Sequence, residues 1–145
     1  MEETPFWEDI PRYLILTEAC EDAYGLWEPM GELSLAFPDR TYDDLRRLVT
    51  EVLLEFLDKN WIELAWETTV ATGIKDKRGR DVLEWNHQVV PQQEAEVLLG
   101  NDGNWARKWP EVVPELRFFC TLKGQKEWFR GPGPYMGPGR IPLSP

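Results

Sequence analysis

Histidine occurs once in this sequence, at His87, and serine only twice, at Ser34 and Ser144. That scarcity excludes a metal site or a phosphoryl relay built on a histidine pair. A Ser–His–Asp or Cys–His nucleophile would depend on one imidazole, and nothing local brings Ser34, Cys20 or Cys120 to it. Cysteine is equally sparse. Cys20 and Cys120 lie far apart, with no CxxC spacing and no Cys/His cluster. Both fall on apolar faces of predicted elements and read as buried thiols, and no sequence feature supports a disulfide between them. No apolar run approaches the ~20 residues that cross a bilayer. The start, Met1-Glu2-Glu3-Thr4-Pro5, has neither the basic segment nor the apolar stretch of a signal peptide. A cytoplasmic protein without membrane contact is the expectation.

Basic residues are scarce in the first half. Residues 1–69 hold 17 acids and 5 bases, whereas residues 70–145 hold 9 acids and 11 bases, for a net charge of −10 over the chain. Such a first half repels a phosphate backbone and attracts a basic surface. With 26 carboxylates, close pairs arise by chance, so no pair is singled out for acid–base work or magnesium. The glycines near the C-terminus are interrupted by proline, without the Gly-Lys-Ser/Thr of a phosphate loop. Asn101-Asp102-Gly103-Asn104 lacks calcium-loop spacing. The expectation is a protein with no enzymatic activity, no cofactor and no metal.

What is present describes a globular domain. The chain has 145 residues, 42% hydrophobic and 29% charged, enough for one core and too few for two. Residues 1–130 are expected to form the domain and residues 131–145 a Pro/Gly-rich tail. That tail holds four glycines and five prolines and can make neither a helix nor a central strand. It is either a loose end or an extended strap packed through Tyr135, Met136 and Ile141.

Periodicity predicts a helix over residues 11–24, with Ile15, Leu16, Ala19, Cys20 and Ala23 inward and Arg12, Thr17, Glu18, Glu21 and Asp22 outward. A shorter helix is expected over residues 27–36. The clearest element spans residues 41–60. Leu45, Leu48, Val49, Val52, Leu53, Phe56 and Leu57 form one buried stripe, Thr41 is the N-cap, and Asn60 suits a left-handed end. Residues 61–67 alternate as a strand, residues 75–81 form an exposed turn, and residues 82–90 alternate again with Leu83, Trp85, His87 and Val89 on one side. Residues 91–99 read as a short helix stopped at Gly100. A last strand over 115–120 puts Leu116, Phe118 and Cys120 together, and Thr121 caps a helix over 122–129.

Two stretches carry a family resemblance. Leu57-Asp58-Lys59-Asn60-Trp61-Ile62-Glu63-Leu64 resembles the junction of the third helix and first wing strand of a winged-helix domain. Leu116-Arg117-Phe118-Phe119-Cys120-Thr121-Leu122-Lys123-Gly124 looks like a second wing strand entering a Thr-x-x-Gly helix start. The order of elements from residue 11 to 129 agrees. The resemblance implies an α+β, winged-helix-like fold: about three N-terminal helices, a small antiparallel sheet with an enlarged wing insertion, and a short C-terminal helix. In DNA-binding members the third helix enters the major groove with polar and basic side chains. Here its outward positions hold Asp43, Asp44, Glu51, Glu55 and Asp58 against Arg46, Arg47 and Lys59. That balance argues against the family's commonest function.

Among eight tryptophans, Trp66 and Trp85 sit at inward strand positions and read as core. Trp105 and Trp109, flanking Ala106-Arg107-Lys108, are candidate exposed anchors for a partner. His87, alternating with Leu83, Trp85 and Val89, reads as a half-buried structural histidine. The sequence therefore points to a protein-binding module, an inhibitor, immunity or adaptor protein for a basic partner. Asp43, Asp44, Glu51, Glu55, Trp105 and Trp109 would form the contact. The alternative is a DNA-binding regulator using Arg46, Arg47 and the turn residues Lys75, Lys77, Arg78 and Arg80.

Overall fold

The computed structural model describes residues 4–107 and 114–137. Trp109, Ile141 and the tail from residue 138 onward lie outside the described residues.

The helix expected at residues 41–60 is the one around which the core is built. It runs Tyr42–Asp58, and its inward face buries Leu45, Val49, Val52, Leu53, Phe56 and Leu57. The Thr41 hydroxyl accepts the Asp44 N–H at 3.1 Å, satisfying one of the amides a helix start leaves unpaired. At the other end Asn60 takes φ 60. This lets the Trp61 N–H reach the Phe56 carbonyl at 2.9 Å and the Asn60 N–H reach that of Leu57 at 3.1 Å. Those two bonds make a Schellman stop.

In chain order the elements are α1 (Ile10–Glu21), β1 (Tyr24–Gly25), α2 (Trp27–Ala36), α3 (Tyr42–Asp58), β2 (Ile62–Lys75), β3 (Asp81–Val89), α4 (Ala95–Leu99), β4 (Glu115–Cys120) and α5 (Leu122–Trp128). Short 3-10 turns at Phe6–Glu8, Gln92–Glu94 and Asp102–Trp105 flank them. The architecture is α+β, with five α-helices and one four-stranded antiparallel sheet among the described residues. The strand order is β1-β4-β2-β3.

Strand register sorts side chains by face. Ile62, Leu64 and Trp66 lie opposite Cys120, Phe118 and Leu116, and Tyr24 pairs with Phe118, all on the face toward the helices. Glu63, Ala65 and Glu67, opposite Phe119, Arg117 and Glu115, occupy the other face. The two stretches that resemble wing junctions meet here. Thr121 donates its N–H to the Trp61 carbonyl (2.9 Å) and its hydroxyl to the Asn60 carbonyl (2.5 Å). A Cβ at Gly124 would lie 2.0 Å from that Trp61 carbonyl oxygen, so the close approach of β2 and α5 requires glycine.

Four expectations are corrected. Thr17 and Glu18 of α1 are buried, not outward. The helix is covered on two sides: the Thr17 hydroxyl accepts from Trp128 Nε1 and from the Tyr135 N–H, each at 3.2 Å. Residues 131–137 act as a strap, since Tyr135 is buried and the Tyr13 hydroxyl donates to the Gly133 carbonyl at 2.6 Å. The strand expected at residues 61–67 continues to Lys75. The continuation is rich in the β-branched residues Thr68, Thr69, Val70, Thr72 and Ile74, which suit a strand without needing burial. Trp85 is not core but 55% exposed, because β3 is the outermost strand and every one of its residues is exposed. Trp105 is the reverse. It is 3% exposed, held by its Nε1 bond to the Leu99 carbonyl at 2.8 Å and covered by the Arg46 guanidinium 5.2 Å above its ring. It belongs to the core.

Candidate functional site

Three regions hold the polar and exposed apolar residues from which a site can be built. The first is the solvent face of α3. Asp44, Glu51 and Asp58 are seven residues apart, so they stack one above the other along the helix with a drift of about 20° per step. They and Asp43 are exposed, and none forms an ion pair among the described residues. Glu55 is different. Its carboxylate takes a bidentate grip from Arg12, Nε to Oε2 at 2.9 Å and Nη2 to Oε1 at 2.7 Å, with Lys59 at 3.7 Å. The Arg12 hydrogen bonds hold Glu55 below the usual carboxylate range. Of the bases on this helix, Arg46 is spent on Asp102 at 2.5 Å and on Trp105. Arg47 is exposed.

The second region is the β2–β3 hairpin. Val70, Ile74, Val82, Leu83, Trp85 and Val89 are all exposed. The pairs Ala71↔Leu83, Thr69↔Trp85, Glu67↔His87 and Ala65↔Val89 share one face. Its tip is a tight turn in which the Asp76 carboxylate accepts the Arg78 and Arg80 N–H groups at 2.8 and 2.9 Å. Those backbone bonds, Arg80 first, keep the Asp76 carboxyl below its usual range. Of the expected nucleic-acid contacts, Lys75 pairs with Asp81 at 2.5 Å and Arg80 with Asp76 at 3.1 Å. Lys77 and Arg78 are exposed without a side-chain ion pair among the described residues.

The third region lies where the sheet's outer face meets the start of α2. Glu67 and Glu115 sit opposite each other on β2 and β4, both buried. Arg117 Nε donates to Glu115 Oε1 at 2.8 Å, while its guanidinium lies 5.3 Å above the Trp85 ring. Glu67 meets Nδ1 of His87, whose ring packs edge-on against Phe119 at 4.8 Å. The imidazole is 40% exposed. A Cβ at Gly25 would lie 2.7 Å from Trp27 Nε1 and 2.8 Å from Glu115 Oε1, so glycine permits this closure. The Gly25 N–H binds the Glu28 carboxylate at 2.6 Å, but burial dominates and pushes the Glu28 carboxyl up. Alternation could have revealed this group, since Glu67, His87, Glu115 and Arg117 all occupy positions facing away from the core. What alternation could not supply is the cover that Trp27 brings from α2.

The cysteines are brought together between α1 and β4, and the neighbouring Cys120 thiol together with burial raises Cys20. Both thiols are half-buried and free. No group of three or more His, Cys, Asp or Glu among the described residues is placed to hold a metal ion. No helix there is long and apolar enough to cross a membrane. Compared with models of known protein families, with curated proteins and with solved structures, the chain matches none.

Proposed function

We propose that this protein is a non-enzymatic, acidic protein-binding module that meets a basic partner through the solvent face of α3, acting as an inhibitor, immunity or adaptor protein. The observation that carries this reading is the row Asp44, Glu51 and Asp58, exposed on a rigid helix and free of ion pairs among the described residues. Asp43 and Asp44 have a local reason to be acidic, because carboxylates favour a helix start. Asp58 has none: it stands in the last turn, where the helix dipole disfavours a carboxylate. A charge kept against its local electrostatics fits selection for contact with a basic surface. The test is a photo-crosslinking amino acid at position 51 in the native cell, with a second at Lys126 as control. A basic protein joined at position 51 and not at 126 is the expected result; no adduct, or an acidic one, contradicts the reading.

A second reading, a winged-helix DNA-binding regulator, has its own support. β1 lies between the first two helices and pairs with β4, which pairs with β2 after the third helix. Lys77 and Arg78 project at the hairpin tip, where a wing would meet a phosphate. Against it, Arg46 is occupied, and the acidic row stands where the groove contact would be. Fluorescence anisotropy with random duplex DNA separates the two. Binding weaker than micromolar at ~0.15 M salt is expected, and tighter binding with a steep salt slope would favour the regulator.

A further inference from the structure

Among the described residues, β3 ends the sheet with one side unpaired, and all nine of its residues are exposed. The direction of its free groups follows from one bond. The Val90 N–H donates to the Leu64 carbonyl at 2.8 Å, so Val90 faces β2. In an antiparallel pair the direction alternates. The N–H and C=O of Asp81, Leu83, Trp85, His87 and Val89 therefore point away from the sheet, and these residues carry the exposed apolar row of Leu83, Trp85 and Val89. Edge strands are ordinarily blunted by lysine, proline or a covering segment. β3 contains no lysine and no proline.

We propose that β3 is a self-association edge, pairing antiparallel with β3 of a second copy about a two-fold axis at Trp85. The sequence of the strand fits itself in this register. Trp85 meets its own counterpart, Leu83 lies opposite His87, Asp81 opposite Val89 and Glu84 opposite Asn86, so no like charges face each other. Every outward N–H and C=O gains a partner. The apolar row becomes continuous across the axis, with the two indole rings at its centre.

Charge favours this edge over the acidic α3 face for contact between copies. The chain carries −10, whereas β3 holds only Asp81, neutralised by Lys75 at 2.5 Å, and Glu84, which faces Asn86 in this register. Two acidic molecules can therefore meet here without setting acid on acid. The salt dependence follows: raising ionic strength screens the repulsion between the two acidic bodies and strengthens the dimer. Binding of a basic protein by α3 has the opposite dependence, so this inference and the proposed function fail independently.

Sedimentation of the full chain over a wide concentration range tests the proposal. A mass of twice 17.0 kDa is expected, with a dissociation constant that falls as salt rises. Trp85→Pro removes an N–H that faces away from β2 and should raise that constant at least about tenfold with the circular dichroism spectrum unchanged. Leu83→Lys, which leaves the backbone intact, should do the same. Register is read by oxidative cross-linking in a Cys20→Ala, Cys120→Ala background. Trp85→Cys places two thiols at the axis within disulfide reach and should link, whereas Asp81→Cys, eight residues from its counterpart in register, should not. A monomer at every concentration, a dimer indifferent to both edge substitutions, or equal linking at 81 and 85 would overturn the proposal.

Discussion

Glu55 and Glu28 are carboxylates whose surroundings push them in opposite directions, and their pH signatures differ accordingly. Glu55 is lowered by the Arg12 bonds. Its contribution is present above its ordinary value of 4.5 and is lost as pH falls through the depressed folded value. Arg12 is more than a third exposed, so solvent screening limits the contribution to about 1 kcal/mol or less. Glu55→Gln should therefore destabilise at pH 7 and converge with the parent in strong acid. Glu28, raised by burial, has the reverse sign: its charged form costs stability above the raised value, so Glu28→Gln should gain relative to the parent as pH rises. Urea unfolding across pH reads both. The thiols offer another residue-scale test. Alkylation requires thiolate, and the neighbouring Cys120 together with burial raises Cys20. Iodoacetamide followed by peptide mass spectrometry should label Cys20 more slowly in the folded chain than in urea, and equal rates would contradict its burial beside Cys120.

At the scale of elements, α3 and the hairpin arm divide the work of core and surface. Leu53→Ala or Phe56→Ala, at fully buried positions, should cost about 2–5 kcal/mol in thermal or urea unfolding. Trp105→Ala should cost about 3–5 kcal/mol as a buried aromatic. Trp85→Ala, measured where the protein is monomeric, should cost about 1 kcal/mol or less, because the ring is mostly exposed. The contrast marks what a single chain reveals. α3, its Thr41 cap, the Asn60 stop and the Thr121 cap are local signals and were legible. So was the span of β4, where Leu116 and Phe118 alternate with Arg117 and Phe119. The two tryptophans were not. Alternation says that Leu83, Trp85 and Val89 share a face, but it cannot say that all three are exposed there. Nor does a loop position reveal that Arg46 and the Leu99 carbonyl draw Trp105 inward. The acidic row was legible in part. The helix period supplied Asp44, Glu51 and Asp58, and only the fold shows that Glu55 is held by Arg12, forty-three residues away in sequence.

For the whole molecule, the acidic first half gives a directional field, and the claim that this field serves recognition rests on association kinetics. Charge reversal should use Glu51→Lys with Asp58→Lys. Glu55 is unsuitable, because a lysine there would face Arg12 and disturb the fold, whereas lysine at 58 complements the helix end. The most direct measurement is stopped-flow association with the basic protein captured from position 51, across a salt series from ~0.05 to ~0.5 M. The expected on-rate for the parent chain is fast at low salt and falls as salt rises, and the double variant should be slower at low salt with a flatter dependence. An on-rate indifferent both to salt and to the two substitutions would contradict the assignment of the α3 face as the binding surface.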